Sequence, residues 1–160
     1  MLQPTSFATP DRKHRMSTLE SPQVTAVTTR PATRTLLVVD DCPVIRDLLC
    51  MVFEEEGYRV LAAADVGAAQ RALEGTSISA VICDIHLGSQ SGLSVVQMVR
   101  KHPLHRRVPV LVMTVESSEE RRHDARLAGA NAFMTKPFRA SQLVETIKGL
   151  VARRSASVLV

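Results

Sequence analysis

The sequence predicts an α/β fold: a doubly wound, five-stranded parallel sheet in the flavodoxin-like order 2-1-3-4-5, with helices on both faces. Three observations carry this. Short apolar runs rich in β-branched residues recur without polar alternation, which fits strands covered on both faces. Amphipathic stretches at helical spacing separate them, so strand and helix alternate from residue 35 to residue 151. The runs also stop abruptly at polar residues, at Asp40, Asp84, Thr114 and Lys136. In open α/β sheets, ligands sit just beyond the carboxyl ends of the strands, where these four residues would lie.

Composition sets the limits of this reading. A chain of 160 residues with 45% hydrophobic content has room for one domain with a real core. With four Phe, one Tyr and no Trp, that core must be aliphatic. The net charge of +4 would suggest nucleic acid if it were spread over the domain, but it is not. Residues 1–34 hold five basic against two acidic residues and residues 151–160 add Arg153 and Arg154, which leaves 13 basic and 14 acidic residues between them. No direct nucleic-acid binding is expected. Cys42, Cys50 and Cys83 form no C-x-x-C pair and predict small buried residues in a reducing compartment. No apolar run approaches the ~18 residues of a spanning helix and no secretory signal opens the chain, so a cytoplasmic protein without a membrane contact is expected.

In chain order, residues 1–33 are rich in Thr, Ser and Pro without a hydrophobic period and read as a disordered tail, with Arg12-Lys13-His14-Arg15 a solvated charge run. Residues 34–153 form the domain, and residues 154–160 a C-terminal tail. The first strand, Thr35 to Val39, ends at Asp40-Asp41, and Pro43 then suits the first turn of a helix in which Val44, Leu48, Met51 and Val52 recur at helical spacing. Tyr58 to Leu61 is a short second strand. Val66, Ala69, Ala72 and Leu73 form one face of a small-residue helix closed by Gly75. The third strand runs to Asp84, and Ile85 to Gly92 reads as a loop. Leu93, Val96, Met98 and Val99 mark the next helix, and His102 to Arg107 reads as a solvated basic loop rather than a metal pair, since no third ligand accompanies its two histidines. The fourth strand, Val108 to Met113, ends at Thr114; a charged helix from Glu119 to Leu127 stops at Gly129; and the fifth strand, Asn131 to Thr135, ends at Lys136-Pro137. Leu143, Val144, Ile147, Leu150 and Val151 give the last amphipathic helix.

The predicted strand order brings Asp40, Asp41, Asp84, Thr114 and Lys136 to one rim. A single Asp at a strand end is ordinarily a turn former or a cap. Three carboxylates, a hydroxyl and an ammonium in one crevice ask for more. Carboxylates a few Å apart repel by about 4 kcal/mol per pair at an effective dielectric of 20, so the cluster calls for a cation, and oxygen ligands favour a hard ion such as Mg2+, which would take one or two carboxylates and keep several waters. A carboxylate beside a divalent ion, a Lys and a Thr is equipped to attack phosphorus and carry the group as an acyl phosphate.

These motifs, Val38-Val39-Asp40-Asp41, Val81-Ile82-Cys83-Asp84 with Gly92 beyond it, Val112-Met113-Thr114, and Phe133-Met134-Thr135-Lys136-Pro137-Phe138, resemble the receiver domains of two-component response regulators. The resemblance implies Asp84 as phosphoacceptor, and Mg2+ held by Asp40, Asp41, Asp84 and the backbone carbonyl of His86. It further implies Lys136 pairing with Asp84, a cis Lys136–Pro137 bond, Thr114 as the hydroxyl that meets the phosphoryl group, and Phe133 as the aromatic that turns inward when Thr114 moves. The donor would be a phosphohistidine on a sensor histidine kinase or histidine phosphotransfer protein. The reply would be altered binding of a downstream protein on the face formed by Glu119 to Leu127, Asn131 to Thr135 and Ala140 to Lys148, with homodimerisation as one form of it.

The sequence departs from the receiver pattern at several points. Val115 stands where a small residue is usual, Gly88 where Pro is common, Ser91 where Asp is common, and Phe133 lacks the hydroxyl of the common Tyr. His86 occupies a position known in the family to influence hydrolysis, although an exposed loop histidine is the plainer reading. The ends hold no helix-turn-helix pattern, so a stand-alone receiver without enzymatic turnover is expected. Two other readings compete with it. A Mg2+-dependent phosphatase with an Asp nucleophile wants a second acid where His86 stands, and a phosphorylation-independent adaptor would leave the acids, Thr and Lys unused.

Overall fold

The computed structural model describes residues 33–156. The tail reading of the N-terminus, with its Arg12 to Arg15 run, lies outside the described residues. The strands are β1 (Thr35–Val39), β2 (Arg59–Ala63), β3 (Ala80–Asp84), β4 (His86–Leu87), β5 (Gln90–Ser91), β6 (Val110–Thr114) and β7 (Ala132–Thr135). The helices are α1 (Pro43–Glu55), α2 (Val66–Gly75), α3 (Leu93–Lys101), α4 (Glu119–Ala128) and α5 (Ala140–Ala156).

Five strands pair in parallel in the order β2-β1-β3-β6-β7. With the short β4–β5 hairpin set aside, this is the predicted 2-1-3-4-5 order. β1, β3 and β6 are buried at every position, as their unbroken apolar sequences require, while β2 and β7 at the sheet edges are partly exposed.

Each central strand sends alternate side chains to opposite faces. Leu37, Val39, Val81, Cys83, Val110 and Val112 pack with α2, α3 and Ala125 of α4. Leu36, Val38, Ala80, Ile82, Leu111 and Met113 pack instead with Leu49 and Phe53 of α1 and the inner face of α5. The order reverses between β1 and β3, which opens a crevice beyond their carboxyl ends.

Several sequence expectations are corrected. Of the four residues that mark α1 by their spacing, only Val52 packs partly against the core, while Val44 (71% exposed), Leu48 (38%) and Met51 (55%) form an outward stripe. The segment from Val44 to Phe53 is apolar on two faces, and Phe53, edge-on to Tyr58 with ring centroids 5.7 Å apart, lies on the face that turns inward. Cys42 is exposed at the start of α1 and Cys50 is half-buried; only Cys83 is a core cysteine. The segment from Ile85 to Gly92 is not an open loop, because β4 and β5 pair across a two-residue turn at Gly88–Ser89. Gly88 has φ +62°, a conformation unavailable to proline and unfavourable for most side chains.

Gly92 is needed for a different reason. Its backbone angles are ordinary, but a Cβ there would run into the Asp84 carbonyl and lie 3.0 Å from Cys83 Sγ. Gly92→Ala is therefore expected to cost about 2–4 kcal/mol, read as a lower urea midpoint at unchanged slope. A midpoint equal to wild type would show that α3 can retreat without loss.

Candidate functional site

The site is built from strand ends. β1 stops at Asp40, which is fully buried; its Oδ1 accepts the Cys42 N–H at 2.9 Å, which braces the turn into α1. Asp41 follows, exposed, with its Oδ2 accepting the Gly88 N–H at 3.0 Å and so tying the hairpin to the β1 end. β3 stops at Asp84, 7% exposed, whose Oδ1 accepts the His86 N–H at 3.1 Å. The three carboxylates each offer an oxygen within 4.8 Å of the others.

Lys136, next after β7, bridges two of them. Its Nζ donates to Asp40 Oδ2 at 2.6 Å and to Asp84 Oδ2 at 2.5 Å. Burial alone would lower its pKa, but the hydrogen bonds to both aspartates outweigh that and raise it. The Lys136–Pro137 bond is cis. Thr114, fully buried at the end of β6, sits one residue past Met113, the register partner of Asp84, and its Oγ1 accepts the Glu116 N–H at 3.1 Å.

Asp40, Asp41, Asp84 and Lys136 thus meet in one hollow, and Thr114 ends the neighbouring strand. One ammonium faces three carboxylates, so the cluster has uncompensated negative charge, and its donors are all hard oxygens. Both facts fit a small divalent cation such as Mg2+.

Phe133 is half-buried in β7, with the Arg122 guanidinium 5.1 Å from its ring centroid. His86 opens β4, and its Nε2 lies 3.3 Å from Glu116 Oε1. Glu116 in turn takes a hydrogen bond from Arg121 Nε at 2.7 Å, which with that positive charge holds its carboxyl below the usual range. Sequence reasoning missed Glu116 and Arg121, and the plainer reading of His86 left out this contact. Nothing in spacing joins residue 86 to residue 116; only the pairing of β3 with β6 does so.

The profile of the response regulator receiver domain matches residues 36–148. The chain belongs to that family. The receiver is 32% identical over 122 residues to the phosphate regulon transcriptional regulatory protein PhoB of Klebsiella pneumoniae, covering 76% of this chain and 53% of PhoB. It is 31% identical to the alkaline phosphatase synthesis transcriptional regulatory protein SphR of Synechococcus elongatus, covering 84% of this chain and 55% of SphR. The chain thus spans about half the length of the curated relatives it matches.

Among solved structures, a CheY-like response regulator receiver domain protein from Methanospirillum hungatei superposes with a TM-score of 0.74 at 27% identity, covering 79% of this chain and 99% of that one. The receiver domain of the sensor histidine kinase PA1611 from Pseudomonas aeruginosa, solved with magnesium in its active-site cleft, gives 0.69 at 28% identity over 76% and 99% of the two chains. Receivers are signalling domains of two-component systems, for which phosphorylation and Mg2+ binding are typical. No helix among the described residues is long and apolar enough to cross a membrane.

Proposed function

We propose that residues 34–153 act as a receiver that takes a phosphoryl group on Asp84 from a phosphohistidine of a sensor histidine kinase or histidine phosphotransfer protein. The observation that carries this is the bridging of Asp40 and Asp84 by Lys136 Nζ, at 2.6 and 2.5 Å, with Asp41 beside them. Asp40, Asp41, Asp84 and the His86 carbonyl would hold Mg2+, which when bound supplies positive charge to the oxygens of the transferring group.

This chain's own groups do the rest. A carboxylate oxygen of Asp84 bonds to phosphorus as the P–N bond of the donor breaks, and the bonding pair returns to the imidazole. Lys136, already in hydrogen-bond contact with Asp84, stays to face the added oxygens. The acceptor goes from about −1 to about −2. Thr114 Oγ1 accepts a hydrogen bond from Glu116 at present and keeps its own proton to offer the phosphoryl group.

If Thr114 is drawn toward the acceptor, Phe133 turns inward and parts from Arg122. The recipient of that change is a downstream protein on the surface of residues 119–148, where Leu127 is already 73% exposed. The upstream partner meets the outward stripe Val44, Leu48 and Met51, which runs along α1 directly after Asp41 and offers an apolar seat beside the acceptor. The cytoplasm, where such donors work, is the proposed compartment.

The test is to incubate the full chain with Mg2+ and a small phosphodonor. One acid-stable, base-labile phosphoryl group per chain is expected. Continuous turnover of a phosphate ester would favour the phosphatase reading, and no incorporation at all the adaptor reading. Val115, 68% exposed just past Thr114, gives a finer prediction. Its branched side chain hinders attacking water, so Val115→Ala should shorten the half-life of the phosphorylated form severalfold. Equal half-lives would remove that role.

A further inference from the structure

We propose that the pole of the sheet opposite Asp84 holds a second site, for a nucleotide bearing two or three phosphates. A cavity of about 770 Å³ opens there, between the segment that leads into β6 and the last turns of α5. Arg106 and Arg107 line one side, Arg153 and Arg154 the other, and Leu104 and Leu150 supply apolar wall. No Asp or Glu lines it among the described residues. The five residues of β6 place it about 16 Å from the acidic rim, so the two sites share no side chain.

The basic segment is solvated as its sequence suggested except at His105, which anchors it. His105 is buried, its Nε2 lies 3.0 Å from the Leu73 carbonyl, and its ring stacks on His102 at 4.4 Å. Arg100 fixes the other end, donating to the carbonyls of Gly129 (2.9 Å), Val108 (2.7 Å) and Arg106 (3.2 Å) and to Asn131 Oδ1 (2.6 Å). Gly129, with φ +103°, is the helix cap that lets the Arg100 side chain pass, since a Cβ there would come within 2.9 Å of it. On the facing wall, Arg154 is held by the carbonyls of Ile78 and Ser79, both at 3.2 Å.

Backbone this firmly held presents Arg106 and Arg107, whose side chains donate no hydrogen bond to, and form no ion pair with, any described residue. Leu104 beside them is 78% exposed. Arg106 and Arg107, adjacent on the lining of one cavity, suit an anion with several charged oxygens, because each guanidinium fork can donate to two of them. A lone phosphate would use a small part of a volume that falls within the ordinary ~300–1,000 Å³ range of small-molecule sites. Leucine and proline walls with guanidinium planes suit the flat face of a base.

The test is calorimetric titration of the full chain with ATP and, separately, with tripolyphosphate, in EDTA so that no metal ties the phosphates to the acidic rim. One ATP per chain is expected. The double variant Arg106→Glu/Arg107→Glu should weaken ATP by about tenfold or more, a loss of about 1.4 kcal/mol. Leu104→Ser should weaken ATP but leave tripolyphosphate unchanged, and Asp84→Asn should bind ATP as wild type does. All three substituted positions at this pole are exposed, and an unchanged thermal midpoint checks the fold. Absence of saturable ATP binding by the wild type overturns the proposal, as does equal binding by the folded double variant. Binding of single-stranded oligonucleotide without binding of ATP would make the pole a nucleic-acid contact and overturn it as well.

Discussion

Asp84→Asn is expected to take the phosphorylated form from one group per chain to none, while leaving the fold at least as stable as wild type. The first half follows from chemistry: an amide lacks the charge and the nucleophilic oxygen that phosphoryl transfer needs. The second half follows from the crowding of Asp40, Asp41 and Asp84, whose ligand oxygens lie within 4.8 Å of one another and share one lysine. Carboxylates at about 4 Å repel by about 4 kcal/mol at an effective dielectric of 20, and removing one charge relieves part of that. The amide oxygen can still accept from Lys136, so the loss on the attractive side is smaller. Without divalent ions the thermal midpoint should stay level or rise by about 3 °C per kcal/mol gained. A site kept for function at the expense of stability behaves this way. Phosphorylation persisting in the variant would place the acceptor elsewhere, and a sharp fall in midpoint would mean that Asp84 serves mainly as a structural partner of Lys136.

How far the sequence could be read depended on whether a feature is local. The apolar runs before Asp40, Asp84 and Thr114 are complete in themselves, so these three strands, the sheet order and the rim were legible. The stop at Gly129 was legible too, because a positive φ at a helix end leaves a glycine in the sequence. The inner face of α1 was not. Val44, Leu48 and Met51 keep helical spacing as well as Leu49 and Phe53 do, and only the sheet beneath decides between the two stripes. His105 misled for a related reason. Set among Arg106, Arg107 and His102, it looks solvated, yet the carbonyl of Leu73, 32 residues earlier, receives it in the core. The contact of His86 with Glu116 also belongs to tertiary structure alone. β2 and β7 each begin one residue later than expected, and β2 runs on to Ala63, because their ends are set by pairing with β1 and β6 rather than by their own composition.

Lys136→Met should destabilise the protein by about 3–5 kcal/mol in EDTA, the range for removing one partner of a buried charge pair. The methionine keeps much of the bulk but none of the charge, which leaves Asp40, wholly inaccessible, and Asp84, 7% exposed, without their shared cation. The raised pKa of Lys136 fixes the sign of the pH dependence. A lysine whose folded value is raised contributes its stability fully below the ordinary value of about 10.4 and loses it as pH climbs through the higher folded value, so the gap between variant and wild type should be constant across neutral pH and close only in strong alkali. Magnesium should close it earlier. An ion held by Asp40, Asp41 and Asp84 replaces the missing ammonium, and binding to the folded state alone returns about 2.7 kcal/mol at a hundredfold excess over its dissociation constant. Freed from competition with Lys136, the variant should also bind magnesium more tightly than wild type. Urea titrations with and without the ion check both points. Equal stability in EDTA would mean that the carboxylates do not depend on this lysine. A deficit that magnesium fails to repair would mean that the three acids do not hold a cation together, and the phosphoryl chemistry proposed for Asp84 would lose its support.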